Sequence, residues 1–318
     1  MDQFKWTISP AISSKIDELE VLKKVFDKLP ISESKIKILR EDSFLNSAVS
    51  SAQIENIPST IQSPRVEGKN LETTYQWIYS SRSFDDLTTE TVRQIHKRVL
   101  SELSGSAGHY RMEPWGVFNQ AGMEVHHAPL HTLLPDLMQE YVEHINKLNE
   151  HACIVAAIAQ FIFEKIHPFA DGNGRTGRLI SSYMLSKNGF GFGGLIPFEK
   201  YIHKHRHWYY RALEPTSNCT DFIDFFLESL IAQANQTLDD ISNPEIEHKP
   251  SNLLPRRRGL FEVIKDHPEC SFDFLHRRFM SLPELSLHRD LQDLQKRGLI
   301  KKLGSTRGAV YTTGASSI

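Results

Sequence analysis

The chain has little to offer disulfide chemistry. Its three cysteines, Cys153, Cys219 and Cys270, lie far apart, are odd in number and show no CxxC spacing, which excludes a disulfide framework and fits a reducing compartment. Long apolar runs are missing too. The longest, CIVAAIAQFIF from Cys153, is about half the roughly 20 residues that a membrane span requires. The opening MDQFKWTISP lacks a basic segment followed by an apolar stretch and a small-residue cleavage site, so no secretory signal is expected. An excess of one charge is also absent. Lys and Arg number 37 against 39 Asp and Glu, for a net charge of -2 and a pI near 6.7, which removes any global attraction to nucleic acid. There is no fixed-period repeat and no low-complexity tract. The expectation is a cytoplasmic globular protein with no membrane partner.

What the chain does have is length and ordinary core-forming composition: 318 residues, 40% hydrophobic, 24% charged and 10% aromatic. That length favours two or three domains over one. Helical periodicity dominates. KIDELEVLKKVFDKL places Ile16, Leu19, Val21, Leu22, Val25, Phe26 and Leu29 near a 3.6 period, and Glu41 to Glu55 puts Phe44, Leu45, Ala48, Val49 and Ala52 on one stripe. Further helices are expected over NLETTYQWIYSS, from a cap at Thr88 or Thr89 to Arg98, over Leu133 to Leu148, Ile154 to Ile166, RTGRLISSYMLSKNG, YIHKHRHWYYRAL and DFIDFFLESLIAQANQTL. WGVFNQ and MEVHHAP break the pattern and read as a hairpin turning at Ala121 and Gly122.

Residues 167 to 178, HPFADGNGRTGR, carry the chemistry. Pro168 interrupts the preceding helix, Gly172 and Gly174 turn the loop, and a new helix starts near Arg175. Free backbone N–H groups and the positive dipole end make such a start an anion site, and glycine lets a phosphate approach closely. Asn173 adds an amide donor. Arg175 and Arg178, three apart, can reach one phosphate chain with guanidinium geometry suited to phosphoryl oxygens. Asp171 beside phosphates is how Mg²⁺ is usually held, so magnesium is implied. His167, at the other end of the loop, suits a general base near neutral pH. The bland alternative is a capping histidine with glycines that merely turn the chain. Zinc at His126 and His127 is disfavoured because neighbouring strand residues face opposite ways. In His203, His205 and His207 only the first and last share a helical face, and a solvated basic surface accounts for them.

These residues fill HxFx(D/E)GNGRxxR, and over most of residues 1 to 240 the chain resembles the Fic family of protein adenylyltransferases. The resemblance implies a mainly α fold, a Fic-type helical bundle with a β-hairpin flap. It implies that ATP is the substrate, that a Ser, Thr or Tyr hydroxyl of a target protein attacks its α-phosphate, and that His167 removes the hydroxyl proton. Phe169 would anchor the loop, Asp171 the metal, and Gly172, Asn173, Gly174, Arg175, Thr176, Gly177 and Arg178 would line the nucleotide site. The hairpin would dock the target by strand addition through Val117, Phe118, Asn119, Gln120, Val125 and His126. Tyr209 and Tyr210 are either adenine contacts or core. The Asn that relatives place near the base has competing counterparts in His205, Ser217 and Asn218.

Ser51 and Glu55 stand at i, i+4 on one helical face, just before Asn56. An exposed carboxylate is the ordinary alternative. With Asn56 they fill the family's inhibitory motif (S/T)xxxE(G/N) in the position that precedes the core, which implies an inhibitory helix over about 42–56. Glu55 paired with Arg178 would remove the cation needed by the γ-phosphate. The resemblance also admits AMP removal, donors other than ATP, modification of the protein itself and a homodimer.

The expected organisation is 1–105, a helical region holding the inhibitory helix; 106–240, the catalytic core; 241–255, a polar linker with Pro244, Pro250 and Pro255; and 256–318, which resembles a winged helix-turn-helix. There GLFEVIKDH, FDFLHRRF and LSLHRDLQDLQKRG read as helices, with IKKLG and AVYTT as a hairpin. Between Leu285 and Thr313, Arg289, Lys296, Arg297, Lys301, Lys302 and Arg307 face only Asp290 and Asp293, a local basic bias that leaves DNA and protein both open as partners. A DNA-binding regulator with a nucleotide-sensing core is the alternative to the enzyme.

Overall fold

A computed structural model of the chain describes residues 1–55, 63–80, 86–118, 124–242, 253, 255–279, 284–304 and 309–314. The chain divides into Met1–Gln236 and Thr237–Ile318.

In the first unit, α1 (Pro10–Phe26) starts where the Ser9 hydroxyl accepts from the Ile12 amide and Pro10 takes the first helical position, an arrangement that uses a residue with no N–H to lose. It buries Ile12, Leu19, Leu22 and Phe26 and leaves Val21 and Val25 exposed, so the stripe is narrower than the sequence suggests. α2 (Glu33–Ile54) is capped by Ser32. Its buried face also differs from the expected apolar stripe: Val49 is exposed, while Ser43, Ser47, Ser50 and Ser51 are buried with Phe44, Ala48 and Ile54. α3 (Ser63–Ser80) and α4 (Thr89–Val99) follow. Thr88 caps α4 by accepting from the Thr91 amide.

The hairpin is present as β1 (Gly116–Phe118) and β2 (Glu124–His127), antiparallel, with Val117 opposite His126 and a register irregularity after Val117. Beyond it run α5 (Leu134–Lys147), α6 (Ala152–Ile166) and α7 (Asn173–Lys187). α6 is buried nearly all round, through Ile154, Ile158, Phe161, Ile162 and Phe163, as expected of a central helix. It packs against α7 and α5, while α3 and α4 also pack on α7. α2 rests on α3 and α8 and touches α7.

The expected helix YIHKHRHWYYRAL is two helices, α8 (Glu199–Lys204) and α9 (Arg206–Leu213), broken at His205. The His205 ring bonds back to the Tyr201 carbonyl and its backbone leaves the helical region. The i, i+4 relation assumed for His203 and His207 does not apply across that break. α10 (Thr220–Ser242) carries Phe222, Phe226 and Leu230 into the core.

The second unit contains α11 (Pro255–Asp266), β3 (Cys270–Ser271), α12 (Phe272–Arg278), α13 (Glu284–Lys296), β4 (Ile300–Leu303) and β5 (Val310–Thr313). The sheet order is β3-β5-β4, all antiparallel; β3 was not legible in the sequence. Its core gathers Leu253, Leu260, Phe261, Ile264, Leu275, Leu287, Leu291, Leu294 and Tyr311. Arg257 reaches Asp290 at 3.0 Å and Asp293 at 2.8 Å, which answers the one buried acid of α13. Among the described residues, no helix is long and apolar enough to cross a membrane.

Candidate active site

The loop between α6 and α7 is held from several directions. α6 ends at His167 in a left-handed conformation, φ 48° and ψ 58°, which non-glycine residues adopt at a cost and which turns the chain out of the helix. Arg111, buried, secures that backbone: its Nε donates to the His167 carbonyl at 2.9 Å, and its Nη groups donate to Glu113 and Pro129 at the foot of the hairpin. His167 and the foot of the hairpin are therefore tied through one guanidinium.

Phe169 is fully buried and stacks on His96 at 3.6 Å between ring centroids. His96 Nδ1 accepts from the Gly108 amide, and so Nε2 must carry the proton it gives to the Asp171 carbonyl at 3.0 Å. Burial lowers the His96 pKa to about 4, consistent with that neutral ring. Asn173, expected to offer its amide to phosphate, is engaged within the loop. Its Nδ2 donates to the Phe169 carbonyl at 2.8 Å and its Oδ1 accepts from the Phe169 amide at 3.0 Å, closing the loop on itself.

α7 begins after Gly172, whose φ is 76°, and no side chain caps it. The Thr176 amide bonds the Gly172 carbonyl, leaving the amides before it as the open anion seat. Glu55 sits there: a Cβ added to Gly174 would meet Glu55 Oε1 at 2.2 Å. The same oxygen accepts from Arg178 Nη2 at 2.8 Å, and Arg178 also donates to the Ser51 hydroxyl and carbonyl, both at 2.9 Å. Arg178 is fully buried while Glu55 keeps 25% of its side chain exposed. Burial opposes the Arg178 charge, but Glu55 outweighs it and holds the pKa above the ordinary value. Arg175 is likewise engaged, by Glu67 at 2.6 Å and Asp171 at 2.8 Å.

Thr176 and Gly177 depart from the expected nucleotide lining: Thr176 is fully buried, and Gly177 packs against Glu164, Gln160 and Phe163 of α6. Tyr209 is also in the core, its hydroxyl accepting from Gln160 at 2.9 Å and from Arg178 at 3.4 Å. Tyr210 is partly exposed and donates to the Ile54 carbonyl at 3.1 Å, where α2 ends. Asn56, Asn119 and Gln120 lie outside the described residues, and of Val117, Phe118, Val125 and His126 only the backbone is described.

Several residues escaped the sequence analysis. Glu67, Arg111, His96 and Glu164 carry no motif. Glu199, fully buried, accepts from Ser47 at 2.7 Å and Tyr75 at 2.5 Å, fastening α2 and α3 to α8. Apart from Arg111, which lies in a loop, their common signal, a polar residue at a core phase of a helix, is visible only once the packing is known.

Residues 86–185 match the Fic/DOC family. The chain is 32% identical over 109 residues to protein adenylyltransferase Fic of Drosophila melanogaster, covering 33% of the chain and 21% of that protein. It is 32% identical over 135 residues to that of Aedes aegypti, covering 41% and 24%. The chain thus spans less than a quarter of the length of these curated relatives. A Fic family protein from Desulfovibrio desulfuricans G20 shares the fold with a TM-score of 0.62, 21% identity and 97% of each chain covered. Fic-1 of C. elegans, residues 134–508, gives 0.55 at 20% identity with 71% of each covered. Residues 86–185 are a Fic domain in a mainly helical chain.

Proposed function

We propose that this chain is an autoinhibited protein adenylyltransferase that moves AMP from ATP to a Ser, Thr or Tyr hydroxyl of a target protein and releases pyrophosphate. The observation that carries the proposal is the Glu55 carboxylate lying over Gly174 at the start of α7 and bonded to Arg178. An anion already occupies the seat where a phosphate belongs, and its partner is a buried cation.

In the reaction, the acceptor oxygen forms a bond to the α-phosphorus while the bond to the β-phosphate oxygen breaks. His167 takes the hydroxyl proton. The open amides of α7 and the guanidiniums of Arg175 and Arg178 bind the phosphates once Glu55 withdraws. Asp171 fits magnesium: its side chain is 62% exposed at the lip of the loop and offers a hard oxygen donor. Mg²⁺ bound there with the phosphates would neutralise charge on the leaving group. The hairpin would present the target segment, with Arg111 fixing its foot relative to His167.

Autolabelling from α-labelled ATP tests the proposal. Glu55→Gly should label strongly, and His167→Ala in that background should lose about 10²–10⁴-fold. Equal labelling by the parent and Glu55→Gly removes the brake; label retained only from the γ position excludes adenylylation and points to another donor chemistry.

The second unit we read as a winged helix, on the strength of its helix order and β3-β5-β4 sheet. The exposed residues of α13, Glu284, Leu285, His288, Arg289, Gln292 and Lys296, and those of β4, Lys301, Lys302 and Leu303, make a mixed surface in which basic residues outnumber the one acid, Glu284, itself paired with His288. Duplex binding that weakens steeply with salt would assign it to DNA; salt-insensitive binding of a protein would assign it to docking.

A further inference from the structure

Glu164 belongs to none of the roles assigned above. It stands one helical turn before His167, with Oε2 3.9 Å from His167 Nδ1. Its Oε1 lies 2.9 Å from where a Cβ on Gly177 would stand, so the glycine leaves room for the carboxyl between α6 and α7. Oε1 is buried and has no hydrogen-bond partner among the described residues. A buried, incompletely satisfied carboxyl costs stability relative to an apolar side chain, and packing alone gives no reason for it.

The groups around it come from every neighbouring element: Glu55 of α2, Arg178 of α7, Lys165 and His167 on its own side, Tyr141 of α5 and Tyr209 of α9. Burial first, and Glu55 second, push the Glu164 pKa up to about 8, against the pull of Arg178 and Lys165. At neutral pH with Glu55 seated, the carboxyl therefore holds its proton for most of the time; withdrawing Glu55 removes one of the charges that keeps it neutral.

We propose that Glu164 is a positioning residue for His167, turning the ring through Nδ1 and, as a carboxylate, stabilising the imidazolium formed when Nε2 takes the acceptor proton. A carboxylate facing Nδ1–H leaves the Nε2 lone pair as the base. No proton passes to Glu164: the hydroxyl proton stays on Nε2 while oxygen bonds to the α-phosphorus and pyrophosphate departs. The inference rests on the transferase reading.

The test uses the full chain in the Glu55→Gly background, with Glu164→Gln as an isosteric neutral replacement and Glu164→Asp as the conservative one. Glu164→Gln should lower kcat by about 10–100-fold with the KM for ATP unchanged, and it should move the acid limb of the pH–rate profile to lower pH. Glu164→Asp should recover part of both. Independently, the His167 imidazole followed by ¹⁵N NMR, assigned by its loss in His167→Ala, should titrate at lower pH in Glu164→Gln. If Glu55→Gly transfers no AMP, the transferase reading fails and the imidazole titration alone decides the role of Glu164. An unchanged titration midpoint overturns the proposal, as does a raised KM with kcat preserved.

Discussion

Toward α6, helix α7 meets a neighbour that is apolar nearly all round, with Ile154, Ile158, Phe161 and Ile162 buried and the Ser181 hydroxyl bonded to Gln160 at 2.9 Å and to the Ala156 carbonyl at 3.0 Å to orient it. Toward α2 it meets serines and charges: Ser51 and Glu55 on Arg178, with Ser47 held by Glu199 nearby. Dispersion and water exclusion make the first contact non-directional and durable. The second depends on a few hydrogen bonds, each worth about 1 kcal/mol net, that water or phosphate can replace. The loop that bears His167 is built on the durable contact, and the helix that bears Glu55 on the replaceable one.

Breaking the durable side should give the largest effect. Phe163, fully buried and against Gly177 of α7, when changed to Ala should cost about 3–5 kcal/mol of stability, measured by chemical denaturation, and should not release the brake. The next effect comes from pH. His96 has a folded pKa of about 4 against an ordinary 6.5, so the unfolded chain binds more protons between those values. Stability should be complete above about pH 6.5 and fall as pH drops through 4, by on the order of 3 kcal/mol. His96→Leu should flatten that pH window. The smallest effect on stability belongs to the replaceable side: Ser47→Ala removes one of the two bonds to Glu199 and should cost about 1 kcal/mol. It should nevertheless raise basal labelling from ATP, since α2 loses an anchor. A Ser47→Ala variant with lowered labelling would collapse the distinction between the two contacts.

The helical character of the first unit and the anion-binding loop were legible because both are written locally, one in apolar periodicity and the other in twelve contiguous residues. Glu55 was legible through its spacing to Ser51. What stayed hidden depends on distance in the chain. Glu67 reaches Arg175 from 108 residues away and Glu199 reaches Ser47 from 152; neither is marked by its neighbours in sequence. The amphipathic stripe expected on α2 mistook Val49 for core because serines share the true buried face with Phe44, Ala48 and Ile54, and a hydrophobic period cannot register serines that bond across an interface. The break at His205 has no proline or glycine to announce it. The two hydrogen bonds by which Asn173 closes the loop on Phe169 were not legible either, because a motif names a residue without its local partners.

Gly174 presents one bare Cα to the open end of α7, with Glu55 Oε1 against it. Under the proposed function, a triphosphate seeking that position would compete with a rival tethered to the same chain, and a tethered rival keeps a fixed local concentration whatever the amount of protein. Apparent nucleotide affinity should then fall by the fraction of time the seat is vacant, so anything that holds α2 away would act as a gain control on ATP use without touching the nucleotide. Gly174→Ala would deprive both rivals of the same space.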